Sequence, residues 1–471
     1  MQSDTLMGIW PCKQLVDCTA DGLISYGIVQ PGQHDNEGVP IVRVNNFNNG
    51  RLDTSNVLRV AASVEENYKR TRLSGGEVLL TLVGSTGQTV IVSRDLAGWN
   101  VARAVAVIRP SHEIGAKWIN ICLQSVETKR FLDNRANTTV QKTLNLADVK
   151  NIPIPVPPAP VRHGIESVIT AINNKIDLNR RINQTLEAIV RAIFKSWFVD
   201  FNPVKAKITA IEQDQDPLRA AMRAISGKTD TELVQMPREH HDQLSATAAL
   251  FPDEMEESDL GEIPKGWAVN TLGSVTNYLS RGISPKYLEN GGVLVLNQKC
   301  IRDFRVDESK GRRHDSTQRK IDGRALELGD VLINSTGVGT LGRVAQVLCL
   351  NEPTIVDSHV TVVRASHELN ASYLGQYIIW KQPNIEAMGE GSTGQTELSR
   401  AKLAELPVLT PRENVLKVFD NLISPLNNKI SANDRESVKL AKLRDTLLPK
   451  LLSGELSVSD VGKLANTTGA A

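Results

Sequence analysis

The sequence has few cysteines, few aromatic residues and no long apolar run. Its five cysteines form no Cys-x-x-Cys pair, which argues against a zinc finger and for ordinary reduced thiols. No stretch approaches the ~18 consecutive apolar residues that a transmembrane helix needs. The N-terminal residues also lack the basic-then-apolar pattern of a signal peptide. We therefore expect a cytoplasmic protein that has no membrane partner.

An excess of one charge is also missing. Lys and Arg total 54 and Asp and Glu total 53, so the net charge is +1 and does not favour bulk attraction to nucleic acid. Local binding stays possible because charge can be segregated along a chain. Residues 205–262 hold 13 acidic and 6 basic residues, which indicates a solvated acidic linker. Residues 310–324 hold six basic and two acidic residues, which is typical of a phosphate-contacting loop or of a solvated surface loop.

Motifs of the common enzyme classes are absent as well. No metal-ligand spacing and no Gly-x-Ser-x-Gly motif occurs, and the glycine-rich residues 337–343 lack the Lys and hydroxyl residue of a phosphate-binding loop. A methyltransferase that acts on a base amino group would show an Asn/Asp-Pro-Pro-aromatic tetrad around the flipped base. The single Pro-Pro pair, Pro157-Pro158, is flanked by Val156 and Ala159. We predict recognition or scaffolding, with no catalytic residue and no metal site.

What the sequence does contain is an internal repeat. Four matches occur in the same order in both halves of the chain, at offsets of 253 to 255 residues. They pair Gly76 with Gly329, Arg109 with Arg364, Leu144 with Leu398 and Asn173 with Asn427. Four ordered matches at nearly one offset predict a duplication.

Each copy is predicted to hold a β-rich globular part followed by a long amphipathic helix. Short β-branched runs indicate strands, and a proline cluster separates them from the helix. Apolar residues then recur at heptad spacing, interrupted at Lys175 and Asn179 in one copy and at Lys429 and Asn433 in the other. The matched interruptions favour pairing of the two helices over separate packing of each. The predicted seam comprises Ile165, Val168, Ile169, Ile172, Ile176, Ile182, Leu186, Ile189 and Ile193, with Phe419, Leu422, Leu426, Leu440, Leu443 and Leu447.

The predicted fold class is α+β. Two mixed, β-rich globular domains are joined by two long α-helices that form an antiparallel coiled coil, with an internal pseudo-two-fold repeat. The predicted segments are a first globular domain (1–152), a first helical region (153–204), the acidic linker (205–262), a second globular domain (263–406), a second helical region (407–460) and a disordered tail (461–471). A helix over residues 161–198 is ~57 Å long. That length suits two DNA-binding domains on one face of a duplex, where major-groove faces recur every ~34 Å.

Three longer segments carry a resemblance to a known family. They are LNRRINQTLEAIVRAIFKSWFVDFNPVKAK from Leu178, ALFPDEMEESDLGEIPKGW from Ala249 and LRDTLLPKLLSGEL from Leu443. Together with the duplication, they resemble the specificity (S) subunits of type I restriction–modification systems over essentially the whole chain. The sequence departs from the family at one point. In the family a Pro-Pro-Leu-x-Glu-Gln phrase often opens each helix, whereas its two counterparts here contain no glutamine.

The resemblance implies a non-catalytic, DNA-recognising subunit. Each globular domain would be a target-recognition domain that contacts one half of a bipartite, asymmetric site in double-stranded DNA through the major groove. The helices would set the spacing and dock two methylation (M) subunits. The M subunits would bind S-adenosylmethionine and methylate adenine, while restriction (R) subunits would use ATP and Mg²⁺ to translocate and cleave DNA. The chain itself would need no cofactor.

Candidate DNA contacts are polar side chains that we expect on loops of the β-rich domains, where they could reach base edges. They are Arg43, Asn45, Ser85, Thr86, Gln88, Thr138 and Thr139 in the first domain and Asn297, Gln298, Lys299, Asn334, Ser335, Thr336, Ser392, Thr393 and Gln395 in the second. Candidates for phosphate contacts are Arg312, Arg313, Arg319 and Lys320. The alternative is that the Gly-Ser-Thr clusters are ordinary turns.

The M-subunit surface is predicted on the outward faces of both helices and on a run of aromatic residues. This run, Phe194, Trp197, Phe198 and Phe201, holds more aromatics than a two-helix seam needs, although a local core is the alternative. Two other functions stay open. One is a coiled-coil scaffold with two protein-binding domains and no DNA target. The other is a fusion that carries its own methylase, against which the missing tetrad argues.

Overall fold

The computed structural model describes residues 9–48, 50–136, 143–337, 339–389 and 397–461. The chain divides into two compact units. Unit 1 comprises residues Met1–Leu178 and Glu436–Ala471, and unit 2 comprises Asn179–Arg435. Each unit therefore contains one of the two β-rich domains together with part of each long helix. The mixture of helices and strands confirms the α+β class.

Unit 1 is built around two small sheets. In the four-stranded antiparallel sheet the order is Thr19–Tyr26, Val105–Pro110, Val78–Thr81 and Thr89–Ile91. In the three-stranded sheet the order is Leu58–Val60, Val39–Val42 and Asn100–Val101, and the last pair is parallel. Successive side chains of a strand enter opposite faces, so Val78 and Leu80 join one apolar cluster while Leu79 joins another. The central strand is consequently buried on both sides.

Unit 2 repeats this strand order and adds one edge strand, Tyr287–Leu288, to its second sheet. Its first sheet runs Thr276–Arg281, Val360–Ala365, Val331–Asn334 and Val344–Gln346. Its second sheet runs Tyr287–Leu288, Arg312–His314, Val293–Leu296 and Thr354–Val356, again with a parallel last pair. Leu79 lies opposite Val107 in unit 1 and Leu332 lies opposite Val362 in unit 2, which reproduces the offsets of 253 and 255. The offsets of the sequence repeat therefore recur in the strand register of the two units.

The remaining short elements complete the two β-rich domains. Paired short strands are Cys12–Gln14 with Pro153–Pro155, Phe47–Asn48 with Arg51–Leu52, Met255–Ser258 with Gly261–Pro264, Ala268–Thr271 with Pro407–Thr410, and Ile301–Arg302 with Arg305–Val306. Further α-helices span Ala62–Glu65, Ala116–Gln124, Val126–Asp133, Leu146–Lys150, Ala371–Ala387 and Arg400–Ala404. The helix Ala116–Gln124 covers one face of the first sheet, where Trp118 is fully buried and donates its indole N–H to the Pro155 carbonyl at 2.8 Å.

Two long helices, Ala159–Phe198 and Glu413–Ser453, follow the two β-rich domains. Within unit 1, Ile165 of the first long helix shares an apolar cluster with Leu451 of the second. Within unit 2, Phe194 of the first long helix shares a cluster with Phe419 of the second. Each unit thus has its own core to which both helices contribute.

The buried face of the first long helix differs in part from the predicted seam. Buried positions recur every seven residues at Arg162, Ile169, Ile176, Asn183, Val190 and Trp197. The predicted stripe of Val168, Ile182 and Ile189 lies one residue earlier, and Ile189 is 42% exposed. That part of the seam was predicted wrongly because apolar residues alone were counted, whereas Arg162 and Asn183 are polar members of the buried face.

The second long helix shows the same shift. Phe419 and Leu447 are buried as predicted, whereas Leu422 and Leu443 are exposed. Of the predicted interruptions, Asn179 and Asn433 are buried, while Lys175 and Lys429 are exposed outside the seam. The exposed lysine side chains stay hydrated, whereas a buried asparagine must find hydrogen-bond partners within the protein.

The segment predicted as a solvated acidic linker is folded. Helices span Asn202–Glu212, Pro217–Ser226, Asp230–Val234 and Arg238–Ala249. Met222, Leu233 and Ala248 are buried together in a small apolar cluster. Lys207 is also buried and donates its ammonium group to the Phe251 carbonyl at 2.5 Å. The count of charges hid these apolar residues, which three different helices bring together.

No helix among the described residues is long and apolar enough to cross a bilayer.

Candidate nucleic-acid interface

The first-domain candidates within the described residues lie in two segments, one after the strand Val39–Val42 and one after the strand Val78–Thr81. Ser85, Thr86 and Gln88 follow the strand Val78–Thr81, and the Thr81 hydroxyl donates to the Ser85 carbonyl at 2.5 Å. Ser85 and Asn45 are exposed, whereas Thr86, Gln88 and Arg43 are half-buried. The turn is therefore fixed through its main chain, which leaves the Ser85 side chain accessible to a ligand.

The equivalent loop of the second domain is organised differently. Asn334 and Ser335 have no exposed surface. The Asn334 amide donates to the Gln298 carbonyl at 3.1 Å, and the Ser335 hydroxyl lies 2.5 Å from the Thr361 hydroxyl. The prediction that these two residues contact bases is wrong, because their side chains hold the sheet corner together and do not reach solvent.

Three candidates around this corner do reach its surface. Lys299 is exposed, and Gln298 and Thr336 are half-buried. The Gln298 side-chain oxygen accepts from the Thr340 hydroxyl at 3.1 Å, and the Thr336 hydroxyl lies 2.8 Å from His359 Nδ1. Sequence reasoning missed Thr340 and the exposed His359, since only the folded sheet brings them to this corner.

Asn297 has a mainly structural position beside this corner. Its side-chain oxygen accepts from the Lys299 backbone N–H at 2.8 Å, and its amide donates to the Lys310 carbonyl at 3.1 Å. It thereby caps the short turn Gln298–Cys300 and ties it to the basic segment. Both ends of its amide group are used within the protein.

The four basic candidates differ in the contacts that their side chains make within the protein. Arg313 makes two hydrogen bonds to Glu352, at 2.5 and 2.9 Å, and these bonds lower the pKa of the Glu352 carboxyl below its ordinary value. The charge of Arg313 is therefore balanced within the protein. Arg319 donates to the Ser284 carbonyl at 3.0 Å, and Lys320 is exposed. Arg312 is exposed and stacks on Tyr287, with its guanidinium carbon 3.4 Å from the ring centroid.

A buried histidine anchors this basic segment. His314 has no exposed surface, and its Nε2 lies 2.8 Å from the Arg319 carbonyl. Because a carbonyl only accepts, Nε2 carries a proton. Its Nδ1 lies 3.0 Å from the Lys286 backbone N–H, which donates to it when the ring is neutral. The ring thus joins residues 286 and 319 across the edge of the sheet.

The aromatic run of the first long helix is not a surface. Phe194, Trp197 and Phe198 are all buried. The ring of Phe198 lies 4.9 Å from that of Tyr373 and 5.0 Å from that of Phe419. The prediction that these three side chains dock a partner is wrong, because they form the core between the long helices and the second β-rich domain.

Phe201 differs from its neighbours in the aromatic run. It is half-buried, and its ring lies 6.0 Å from that of Trp267. Its backbone φ of 56° lies in the left-handed region. A non-glycine residue rarely adopts this conformation, which here ends the helix and starts the next one at Asn202.

The remaining candidates Thr138, Thr139, Ser392, Thr393 and Gln395 lie outside the described residues. Within the part of the chain that the structure describes, no group of three or more His, Cys, Asp or Glu side chains could hold a metal ion.

Two pairs of matched arginines hold the framework instead of facing a ligand. Arg364 makes two hydrogen bonds to the buried Asp330, at 2.7 and 2.8 Å. Its counterpart Arg109 lies 3.9 Å from the buried Glu77. The repeated position therefore neutralises a buried carboxylate in each β-rich domain.

The second pair fixes each β-rich domain to a long helix. Arg305 lies on the hairpin strand Arg305–Val306 and pairs with Asp434 at 2.9 Å and with Glu187, so it contacts both long helices within unit 2. Arg51 occupies the equivalent hairpin of unit 1 and pairs with Asp177 at 2.9 Å. Sequence reasoning missed both, although the two arginines are 254 residues apart and the repeat could have revealed them.

Comparison with known proteins gives a consistent result. A family model described as a type I restriction modification DNA specificity domain matches residues 31–188. The type I restriction enzyme HindI specificity subunit of Haemophilus influenzae is 28% identical over 86% of this chain and 90% of that protein. The MjaIX specificity subunit of Methanocaldococcus jannaschii is 22% identical over 82% of this chain and 79% of that protein.

A solved structure, that of a type I restriction–modification S subunit from M. genitalium, aligns with a TM-score of 0.47 and 14% identity. The alignment covers 96% of this chain and 97% of that chain.

Proposed function

Because the chain belongs to the family of type I restriction–modification specificity subunits, we propose that it selects the DNA sequence for a restriction–methylation complex. Each β-rich domain contacts one half of a bipartite site in double-stranded DNA. Methylation and restriction subunits carry out the chemistry with S-adenosylmethionine, ATP and Mg²⁺, and this chain contributes recognition only.

The observation that carries the proposal is a common framework with different loops. The strands of both sheets in the first domain recur in the same order in the second, yet the loop after the central strand exposes Ser85 in the first domain and places Thr336 beside His359 in the second. Base edges are distinguished by the donors and acceptors that such loops present. Two different half-sites, joined in one asymmetric target, therefore suit this chain.

The two long helices supply the spacing in this proposal. We propose that they form an antiparallel coiled coil along their length, so that one helix pair relates the two β-rich domains. The contacts of each unit support this arrangement, because Ile165 and Leu451 share an apolar cluster in unit 1, and the rings of Phe194 and Phe419 lie 6.2 Å apart in unit 2. Residue numbers rise along one helix while they fall along the other.

The exposed apolar residues of these helices suit two copies of one partner. Ile189 is 42% exposed and Leu443 is 47% exposed, and the two are 254 residues apart, which is the repeat offset. Each unit therefore exposes one of these apolar residues on an outward helix face, and the two positions are equivalent in the repeat. Exposed apolar residues at matched sites favour docking of two M subunits on these faces.

Loss of the gene should remove one methylation pattern from the genome. We expect methylated adenine in a single bipartite, asymmetric motif in the wild-type strain, its absence after deletion, and its return with a plasmid copy. Long-read sequencing that detects methylated bases measures all three. If deletion changes nothing while the chain still co-purifies with other proteins but not with a methyltransferase, the scaffold function is correct. Binding of S-adenosylmethionine by the isolated chain would instead support a fused methylase.

Charged substitutions on the outward faces should change the number of bound M subunits. We expect Ile189→Glu and Leu443→Glu each to reduce the M subunits per chain from two to one, and the double variant to bind none. Native mass spectrometry of the purified complex counts them. Val234→Glu is the matched control, because Val234 is 72% exposed but lies in the helical segment between the repeats. Unchanged stoichiometry in the double variant would place the M subunits elsewhere.

A further inference from the structure

The stacked pair Arg312 and Tyr287 has a geometry that a general phosphate contact does not need. The guanidinium carbon of Arg312 lies 3.4 Å from the Tyr287 ring centroid. At this distance the guanidinium group is in van der Waals contact with the ring face, as arginine is when it stacks on an aromatic ring. Tyr287 is 40% exposed and Arg312 is exposed. A planar set of N–H donors is thus presented at the protein surface in a fixed orientation.

We infer that Arg312 recognises a guanine in the half-site bound by the second β-rich domain. The inference rests on the proposed function and adds one base-specific contact to it. Guanine presents O6 and N7 as two acceptors in the major groove, and a planar arginine fork matches both at once. Two phosphate oxygens could also accept from this fork, so the residues around Arg312 decide between a base contact and a phosphate contact.

The residues around Arg312 indicate that it contributes a fixed orientation, while other cations supply the positive charge. Successive residues of a strand point to opposite faces, and Arg313 on the other face is occupied by Glu352. Among the described residues, no carboxylate forms an ion pair with Arg312. Lys310 and Lys320 are exposed on flexible stems and can supply attraction to phosphates. An arginine that is also stacked adds orientation, which serves base recognition more than phosphate binding.

The strand that carries Arg312 is held firmly. Tyr287 lies opposite His314 in the antiparallel pair, so Arg312 is its diagonal neighbour on the same face of the sheet. The same strand is paired on its other side, where Arg312 lies opposite Val295. The buried His314 ties the segment to residue 286. The stacked pair therefore belongs to the rigid part of the domain and does not lie on a free loop.

In the described part of the first β-rich domain this pair has no counterpart. Val60 and His314 occupy equivalent places in the two strand pairings, so Leu58 stands where Arg312 stands in the second domain. A leucine cannot accept or donate a hydrogen bond to a base edge. The guanine contact is accordingly assigned to one half-site only, which contributes to the asymmetry of the target.

The test compares Arg312→Lys, Arg312→Gln and Tyr287→Leu in the complex with its M subunits. We expect Arg312→Lys, which keeps the charge but loses the planar fork, to lower discrimination at one G·C pair by roughly 5- to 150-fold. Tyr287→Leu should lower discrimination at that same pair by a smaller factor. Binding to a library of duplexes with every base varied in the second half-site measures both effects.

Lys320→Gln is the control for a phosphate contact. It should weaken binding to all sequences alike and reduce the slope of log affinity against log salt by about one. If Arg312→Lys binds as the wild type does and Arg312→Gln behaves as Lys320→Gln does, Arg312 contacts phosphate and the inference is overturned. No change in any Arg312 variant overturns it as well.

Failure of the proposed function would look different. In that case the wild-type complex itself would show no sequence preference, before any variant is compared. All three positions are exposed or at the sheet surface, and equal thermal midpoints for the variants and the wild type confirm that the fold is intact.

Discussion

Replacing Trp197 by alanine should lower the free energy of unfolding of unit 2 by about 3–5 kcal/mol. The side chain is buried, and its ring lies 5.1 Å from Phe251 and 6.0 Å from Phe419. Phe251 follows the helical segment between the repeats, and Phe419 belongs to the second long helix. Truncation would leave a cavity where three parts of unit 2 meet, and the surroundings can close it only in part. Urea unfolding followed by circular dichroism measures the change.

Ile189→Ala provides the matched comparison for Trp197→Ala. Ile189 lies on the same helix but is 42% exposed, so we expect its truncation to cost no more than about 0.5 kcal/mol. If the Trp197→Ala protein keeps its full stability but loses its M subunits, Trp197 contributes to the docking surface despite its buried position.

The repeat could be predicted because glycines mark backbone positions that other residues avoid. Gly76 and Gly329 have φ values of 92° and 91°, and Gly84 and Gly337 also have positive φ. A side chain would strain the backbone at each of these turns, so both copies require glycine there. Such turns, together with the short β-branched runs, indicate where strands begin and end. The duplication and the β-rich character of each copy were therefore within reach of the sequence, although the order of the strands within each sheet was not.

The candidate contacts were harder to predict, because burial depends on residues far away in the chain. Asn334 looks like a polar loop residue, but it lies at the end of a strand and its amide binds the carbonyl of Gln298. Arg313 looks like a phosphate contact until Glu352, 39 residues later, is placed beside it. Neither partner has a sequence signal. Composition can indicate a basic segment, whereas the fold decides which of its cations are free.

Replacing the buried asparagines Asn183 and Asn433, which lie between the long helices, should preserve or raise thermal stability and relax the spacing of the DNA target. Asn183 donates to the Ile430 carbonyl at 3.1 Å and to the Asp434 carboxylate at 2.9 Å, and it accepts from the Asn433 amide at 2.8 Å. Each bond is available in one register only. Asparagine at such a position fixes register at a cost in stability, because leucine would pack there without needing a partner.

The single and double variants should behave in opposite ways. Asn183→Leu removes the hydrogen bond that the buried Asn433 amide donates to the Asn183 side chain, which we expect to cost about 1–3 kcal/mol. Asn183→Leu with Asn433→Leu removes both partners and should match or exceed the thermal midpoint of the wild type. Differential scanning calorimetry separates the two outcomes. Thr185→Leu, at an exposed position on the same helix, is the control for a general effect of added leucine.

The functional consequence follows from the proposed role of the helices as a spacer. A slip of one heptad moves the helices past each other by ~10 Å, which is about three base pairs at 3.4 Å each. We therefore expect the double variant to methylate motifs with the same two half-sites but more than one spacer length, as read from the methylated genome. A single spacer would show that other contacts hold the register. Arg305, which binds Glu187 on one helix and Asp434 on the other, is then the residue to change next.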